Sequence, residues 1–183
     1  MIVQVLQRFA LDRHQLLHHR ILRHGVDELV VADIDRINLA LLEGIPFDRI
    51  AAIPYAALPI GTAVALQNGR PMIYPRKEAK SYGTRRAIEG IYQAGERAVV
   101  LDDLITTGGS KVEAIAPLKG AGLAVEDVVV LIDRQSGGGE ALAQHGYRLH
   151  SVFTLRQILD VLAARGEISE EQRTAVLDWL ATN

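Results

Sequence analysis

Apolar residues recur at helical spacing from the first residues of the chain. Ile2, Val5, Leu6 and Phe9 share one helical face, and a mixed pattern of the same period continues to Leu22 before His24-Gly25 stops it. Asp33 to Leu42 predicts a second helix, closed by Gly44 and Pro46. Beyond this point the period changes. Short apolar runs at Arg49 to Ile53, Pro71 to Tyr74, Ala98 to Leu101, Val128 to Ile132 and Leu149 to Phe153 predict strands. Helical patterns at Leu58 to Gln67, Lys111 to Lys119 and Glu140 to His145 separate several of them. Strands that alternate with helices pair in parallel and cover both faces of their sheet. Two amphipathic helices are expected in the tail, one on Leu155, Ile158, Leu159 and Leu162, the other on Val176, Leu177 and Leu180. No internal repeat, low-complexity segment or linker interrupts the pattern. The expectation is one α/β domain over residues 1–183: an N-terminal helical segment at 1–46, a core at 47–155 and C-terminal helices at 156–183.

Composition narrows the classes. Hydrophobic residues make up 49% and charged residues 23%, a balance that folds rather than stays disordered. The absence of cysteine excludes disulfides, thiolate zinc sites and a cysteine nucleophile, and fits a cytoplasmic protein. No run of about 18 apolar residues is present, so no membrane span is expected. Met1 to Ala10 lacks the basic start and cleavage site of a signal peptide. A formal net charge of −2 provides no broad attraction for nucleic acid. Any anion must therefore be held by a local site.

Two segments carry candidate chemistry. Arg76 to Arg86 is polar and basic, with Arg76, Lys77, Lys80, Arg85 and Arg86 against the single acid Glu78; it is longer than a connection between strands needs, as binding loops and lids are. The second follows the apolar run Val99-Val100-Leu101: Asp102-Asp103-Leu104-Ile105-Thr106-Thr107-Gly108-Gly109-Ser110, leading into a helix. Ligands in parallel sheets sit outside the carboxyl ends of strands. Gly108 and Gly109 let backbone N–H groups approach a phosphate, Thr106, Thr107 and Ser110 add hydroxyl donors, and the helix N-terminus adds partial positive charge. The acids would repel phosphate, so they suit sugar hydroxyls or a magnesium ion (Mg2+) with its waters. Both are expected at a solvent-facing strand end. A Thr-Thr-Gly-Gly-Ser run alone also serves as a helix cap and turn; two acids leaving an apolar strand have no such structural use. The order of a P-loop is absent, and Gly120-Ala121-Gly122 follows a helix rather than a strand, which excludes the dinucleotide fingerprint.

Val99 to Ser110 resembles the phosphoribosyl diphosphate (PRPP) motif of type I phosphoribosyltransferases. Arg76-Lys77-Glu78-Ala79-Lys80-Ser81-Tyr82-Gly83-Thr84 resembles the mobile catalytic loop of their orotate phosphoribosyltransferase branch, closest to the transferase half of UMP synthase. Ile53-Pro54-Tyr55-Ala56-Ala57-Leu58-Pro59, Ile88-Glu89-Gly90, Leu131-Ile132-Asp133-Arg134-Gln135 and Arg148-Leu149-His150-Ser151-Val152 extend the resemblance in family order from Phe47 to Leu155. It implies a type I phosphoribosyltransferase-like, mainly parallel sheet flanked by helices, with a reduced helical hood built from both termini. The implied activity is transfer of 5-phosphoribose from PRPP to a pyrimidine base, orotate first, with magnesium required. Thr106 to Ser110 would hold the 5-phosphate, following Leu104 and Ile105 in the motif. Asp102 and Asp103 would face the ribose hydroxyls and, with magnesium, stand near the reacting centre. Tyr55 and Ala56 would lie on the diphosphate loop, and Arg76, Lys77 and Tyr82 on the basic one. Lys80 would act from the partner subunit of a homodimer, and Arg134 would face the base.

Two departures from the family pattern bear on specificity. Ser81-Tyr82 stands where many members have Asp-His, although tyrosine occurs in the UMP synthase branch. The stretch His24 to Asp35 has neither the lysine nor the aromatic residue that members use for orotate, and the first lysine of the chain is Lys77. A transferase for another base and a PRPP-binding regulatory module therefore remain alternatives. His14, His18, His19 and His24 crowd the N-terminal segment without an acidic partner at metal-ligand spacing, so no metal site is expected there. Gly137-Gly138-Gly139 reads as a flexible turn, His145 and His150 as structural, and Trp179 as a packing residue of the last helix.

Overall fold

The computed structural model describes residues 42–76 and 87–182. The two expected N-terminal helices, the four histidines there and residues 77–86 lie outside the described residues. Among the described residues six strands form a single sheet: β1 (Arg49–Ala52), β2 (Met72–Pro75), β3 (Ile88–Glu89), β4 (Ala98–Ile105), β5 (Asp127–Asp133) and β6 (Arg148–Thr154). Their order across the sheet is β3-β2-β1-β4-β5-β6. All neighbours are parallel except β2 and β3, where Tyr74 faces Glu89 and Pro75 faces Ile88 in antiparallel register. The helices are α1 (Ala57–Asn68), α2 (Gly109–Gly120), α3 (Gly138–Gln144), α4 (Leu155–Ala164) and α5 (Glu170–Thr182).

The near-continuous apolar runs of β4 and β5 are what a strand covered on both faces requires. Val99 and Val129 pack on one side with Ile50 and Val64, while Val100, Val128 and Val130 join Ile73, Ile115, Leu118 and Leu142 on the other. A third cluster, Leu131, Ile132, Val152, Phe153 and Ile158, seats α4 against the far end of the sheet. Thr154 starts α4 with a capping box: its hydroxyl accepts from the Gln157 N–H, and the Gln157 side chain accepts from the Thr154 N–H. The outermost helix, α5, is more exposed than a packing role predicts, with Trp179 at 52% accessibility. Its Arg173 is held to Asp160 of α4 at 2.8 Å through Nε.

At the amino end of β5 and β6 an ion cluster closes the sheet. The Arg148 guanidinium donates to both carboxylate oxygens of buried Asp127 at 2.8 Å, and His150 Nε2 meets the same carboxylate at 2.8 Å. The guanidinium beside it, with the help of His150, holds the Asp127 carboxyl below the usual carboxylate range. The structural reading of His150 is thereby placed, at the end of the sheet opposite the acid pair.

Candidate active site

The chain leaves β1 through α1 towards β2 and β3, and leaves β4 through α2 towards β5 and β6. Connections diverge between adjacent strands β1 and β4, so a crevice opens at their carboxyl ends, the switch point at which parallel α/β sheets take ligands. A cleft of about 370 Å³ occupies this place. Its walls include Tyr55 and Ala56 after β1, Arg76 after β2, Asp102 and Asp103 on β4, and Ser110 and Lys111 on α2.

The acid pair is positioned by unequal strand lengths. On the β1 side, pairing of β4 ends at Leu101, whose carbonyl accepts from the Ile53 N–H at 2.9 Å. On the β5 side it continues, with Asp102 opposite Val130, Leu104 opposite Ile132 and Ile105 opposite Asp133. Residues 102–105 are therefore strand rather than loop, and the glycine-rich turn itself is confined to 106–108. The reason is the partner: the apolar run of β5 is long enough to carry β4 past its acids. Asp102 and Asp103 overhang the end of β1 and so line the cleft.

Only Asp103 matches the expected solvent-facing position. Asp102 is buried and forms an ion pair with the equally buried Lys111 ammonium. Its Oδ1 also accepts from the Asp103 N–H at 2.9 Å, while Asp103 Oδ1 accepts from the Leu104 N–H at 2.8 Å. Burial pushes the Asp102 carboxyl up to about 6, with the Lys111 ammonium pulling in the other direction. Lys111 escaped the sequence reading. A signal existed nonetheless: it is the third residue of α2, where a cation opposes the helix dipole and needs a compensating partner.

The turn beside the acids opens α2. Gly108 stands at the N-cap with φ of 84° and no capping side chain. The Lys111 N–H turns back to the Gly108 carbonyl at 3.0 Å, so the amides that the helix start presents to a ligand are those of Gly109 and Ser110. A helix start of this kind binds anions. Thr107, Gly109 and Ser110 are exposed and Thr106 is half-buried.

Arg76 lines the cleft, and its guanidinium is paired with Glu89 of β3. Tyr55 is 70% exposed at the cleft mouth, joined to Pro54 by a cis peptide. Arg134 lies outside these walls. Its N–H donates to the Ile105 carbonyl at 3.0 Å, and its guanidinium stands over the Trp179 ring of α5, 5.4 Å from the centroid. Of the other expected residues, Leu104, Ile105 and Thr106 to Gly109 adjoin the cleft along the chain without lining it, and Lys77, Lys80 and Tyr82 lie outside the described residues. The triple glycine is not a free turn: Gly137 caps α3, and buried Gly138 is the first residue of that helix.

No family model matches the chain. The bifunctional enzyme PyrF/PyrE of Nostoc sp. is 46% identical over 136 residues, which are 74% of this chain and 28% of that enzyme. The orotate phosphoribosyltransferase of Pyrobaculum aerophilum is 40% identical over 158 residues, covering 86% of this chain and 80% of that protein. Among solved structures, UMP synthase of Leishmania donovani aligns with a TM-score of 0.78 at 40% identity, over 84% of this chain and 33% of that one. Orotate phosphoribosyltransferase of Mycobacterium tuberculosis in complex with PRPP aligns at 0.59 and 28% identity, over 84% and 81%. The chain thus spans less than a third of the Nostoc bifunctional enzyme it matches, and most of the monofunctional one.

Proposed function

The chain belongs to the orotate phosphoribosyltransferase family, with the type I phosphoribosyltransferase fold, and on that premise we propose that it transfers 5-phosphoribose from PRPP to a pyrimidine base, orotate first. The products are orotidine 5'-monophosphate and diphosphate. The observation that carries this reading is the switch-point cleft in which an acid pair overhangs its strand beside an uncapped helix start. It supplies a sugar-hydroxyl acceptor and an anion seat side by side, as a ribose 5-phosphate donor requires.

In the reaction the bond from ribose C1 to the diphosphate oxygen breaks, and its electron pair leaves with the diphosphate. A ring nitrogen of the base, having given up its proton, forms the new bond to C1. Positive charge develops on the sugar and negative charge on the leaving group, so catalysis rests on placing fixed charges at both. Asp102 and Asp103 accept from the ribose hydroxyls and hold the ring. Thr106 to Ser110 seat the 5-phosphate through backbone N–H groups and hydroxyls. Arg76 exchanges Glu89 for the diphosphate, joined by Lys77 and by Lys80 from the partner subunit of a homodimer. Arg134 faces the base. Closure of the basic loop excludes water that would otherwise capture the sugar.

Magnesium fits this site only together with the donor. No group of three or more acidic or histidine side chains gathers among the described residues, and Asp102 already faces an ammonium. Asp103 is the carboxylate open to the cleft, and a cation there would need the donor's oxygens to complete its shell. When bound it neutralises diphosphate charge. Residues 1–183 form one domain in this reading, with a hood from both termini over the core. No helix among the described residues is long and apolar enough to cross a membrane, and a cytoplasmic location suits the substrates.

The test is product formation. PRPP, magnesium and orotate should give orotidine 5'-monophosphate; with uracil, hypoxanthine and adenine turnover should be much slower. Donor binding without turnover of any base would replace the enzyme reading with a regulatory one.

A further inference from the structure

The turn after β5 is built against the donor loop. Asp133 pairs with Ile105 at the end of the sheet, and the next residue, Arg134, donates its N–H to the Ile105 carbonyl at 3.0 Å. Gln135 then takes a left-handed conformation, φ 58°, its N–H donating to Asp133 Oδ1 at 2.7 Å. Gly137, at φ 83°, completes the reversal and starts α3. Three separate devices thus deliver Gly138 to the same place. A Cβ at Gly138 would lie 2.4 Å from the Thr106 carbonyl oxygen and 2.6 Å and 2.8 Å from Ile105 Cγ1 and Cδ1. The φ of Gly138 is one that any residue adopts, so the glycine is demanded by space and not by backbone conformation. The contact is reciprocal. A Cβ at Gly108 would lie 3.0 Å from the Gly138 carbonyl oxygen and 3.3 Å from Ala141 Cβ. The starts of α2 and α3 interlock, with 106–108 held between them.

We propose that Gly138 is a positioning residue for the donor loop: α3 serves as the anvil on which the Thr106–Gly108 backbone is shaped to receive the 5-phosphate. The inference rests on the reading of 106–110 as the phosphate seat. The nearest obstacle to a side chain at 138 is a backbone oxygen of that loop, and backbone cannot rotate away as a flexible side chain can. A methyl group there must therefore move the Thr106 peptide or α3. Either movement disturbs amides whose value lies in being preset, and displacement of about 1 Å costs up to about a hundredfold. The same turn carries Arg134, so the base-side arginine and the phosphate seat are tied to one support.

The test is isothermal titration of PRPP, and separately of inorganic phosphate, into the wild type, Gly138→Ala and Gly139→Ala. Gly139 is the control, since its Cβ would meet only Leu149 Cδ2 at an ordinary 3.5 Å. We expect Gly138→Ala to weaken PRPP and phosphate about ten- to a hundredfold and to raise the PRPP KM, with Gly139→Ala close to wild type. If Gly138→Ala does not fold, Ala141→Val presses on Gly108 from the same helix and should weaken both ligands in the same way. Wild-type affinity in a folded Gly138→Ala or Ala141→Val protein overturns the proposal, as does equal weakening by Gly139→Ala. Failure of the wild type itself to bind PRPP would instead overturn the phosphate-seat reading, so the two failures are distinguishable.

Discussion

Substituting Lys111 by methionine keeps most of its apolar stem and removes the ammonium that is paired with buried Asp102. Breaking a buried pair costs about 3–5 kcal/mol when the remaining charge persists. Here protonation caps the loss. The rise of the Asp102 carboxyl from 3.8 to about 6 already corresponds to about 3 kcal/mol of lost stability above that pH, at about 1.4 kcal/mol per pH unit. A carboxyl that stays neutral at pH 7 corresponds to about 4 kcal/mol on the same scale, so the titration adds about 1 kcal/mol to the cost of Lys111→Met at that pH. The pH dependence identifies the cause. An acid whose folded value is raised takes up a proton on folding, so stability falls as pH rises between the unfolded and folded values. In the wild type this fall ends near 6. In Lys111→Met it continues, by about 1.4 kcal/mol per pH unit until the new value is passed. The assay is urea unfolding from pH 5 to pH 8 in metal-free, phosphate-free buffer, following the difference between the two proteins so that other titrations cancel. A difference that is flat below about 6 and grows above it is expected. A difference independent of pH across the range would show that Lys111 does not keep Asp102 ionised, and the account of the pair would be wrong.

Three further outcomes are expected. Subunits carrying Lys80→Ala, mixed with subunits carrying Asp102→Asn and Asp103→Asn, should recover about a quarter of wild-type activity, because half of randomly formed dimers hold one intact site; no recovery after verified exchange places Lys80 in its own subunit's site or outside the chemistry. Trp179→Ala should release the Arg134 guanidinium and change the orotate KM while leaving the PRPP KM within about twofold; an unchanged orotate KM would show that Arg134 does not act on the base. Asp127→Asn should flatten the acid limb of the stability curve, because a carboxyl held below its usual range adds stability that is present above that range and lost as pH falls; an acid limb as steep as wild type would remove the ion cluster from acid unfolding.

Much of the fold was legible because β1, β4 and β5 are short apolar runs and the stretches between them are long enough for helices; the core strands and α1 to α4 lie within a few residues of where the pattern puts them. Strand β3 has two residues, too few for any alternation to register. The overhang of β4 was hidden for a physical reason: adjacent acids look like a strand end, and only the length of β5 shows that pairing continues beneath them. That the acids stand together at the cleft was therefore legible, and the difference in burial between Asp102 and Asp103 was not. That difference depends on Lys111, whose place in a helix's first turn hints at a partner but does not name it. Gly138 was read as part of a flexible turn, since glycine's need for space is visible only when the neighbouring backbone is known. Trp179 was expected to pack and instead stands half-exposed under Arg134.

On the proposed reading the N-terminal sequence bears on acceptor specificity, since His24 to Asp35 contains no lysine that could meet an orotate carboxylate. The loss of one charge-assisted hydrogen bond corresponds to about 1.5–3 kcal/mol, about ten- to a hundredfold in affinity. Steady-state kinetics at saturating PRPP and magnesium, with orotate, uracil, hypoxanthine and adenine varied in turn, bears most directly on the whole account. It predicts that orotate is the preferred acceptor and that its KM lies well above the low micromolar range. Turnover of another base in preference to orotate, or none of any base while PRPP still binds, would contradict it.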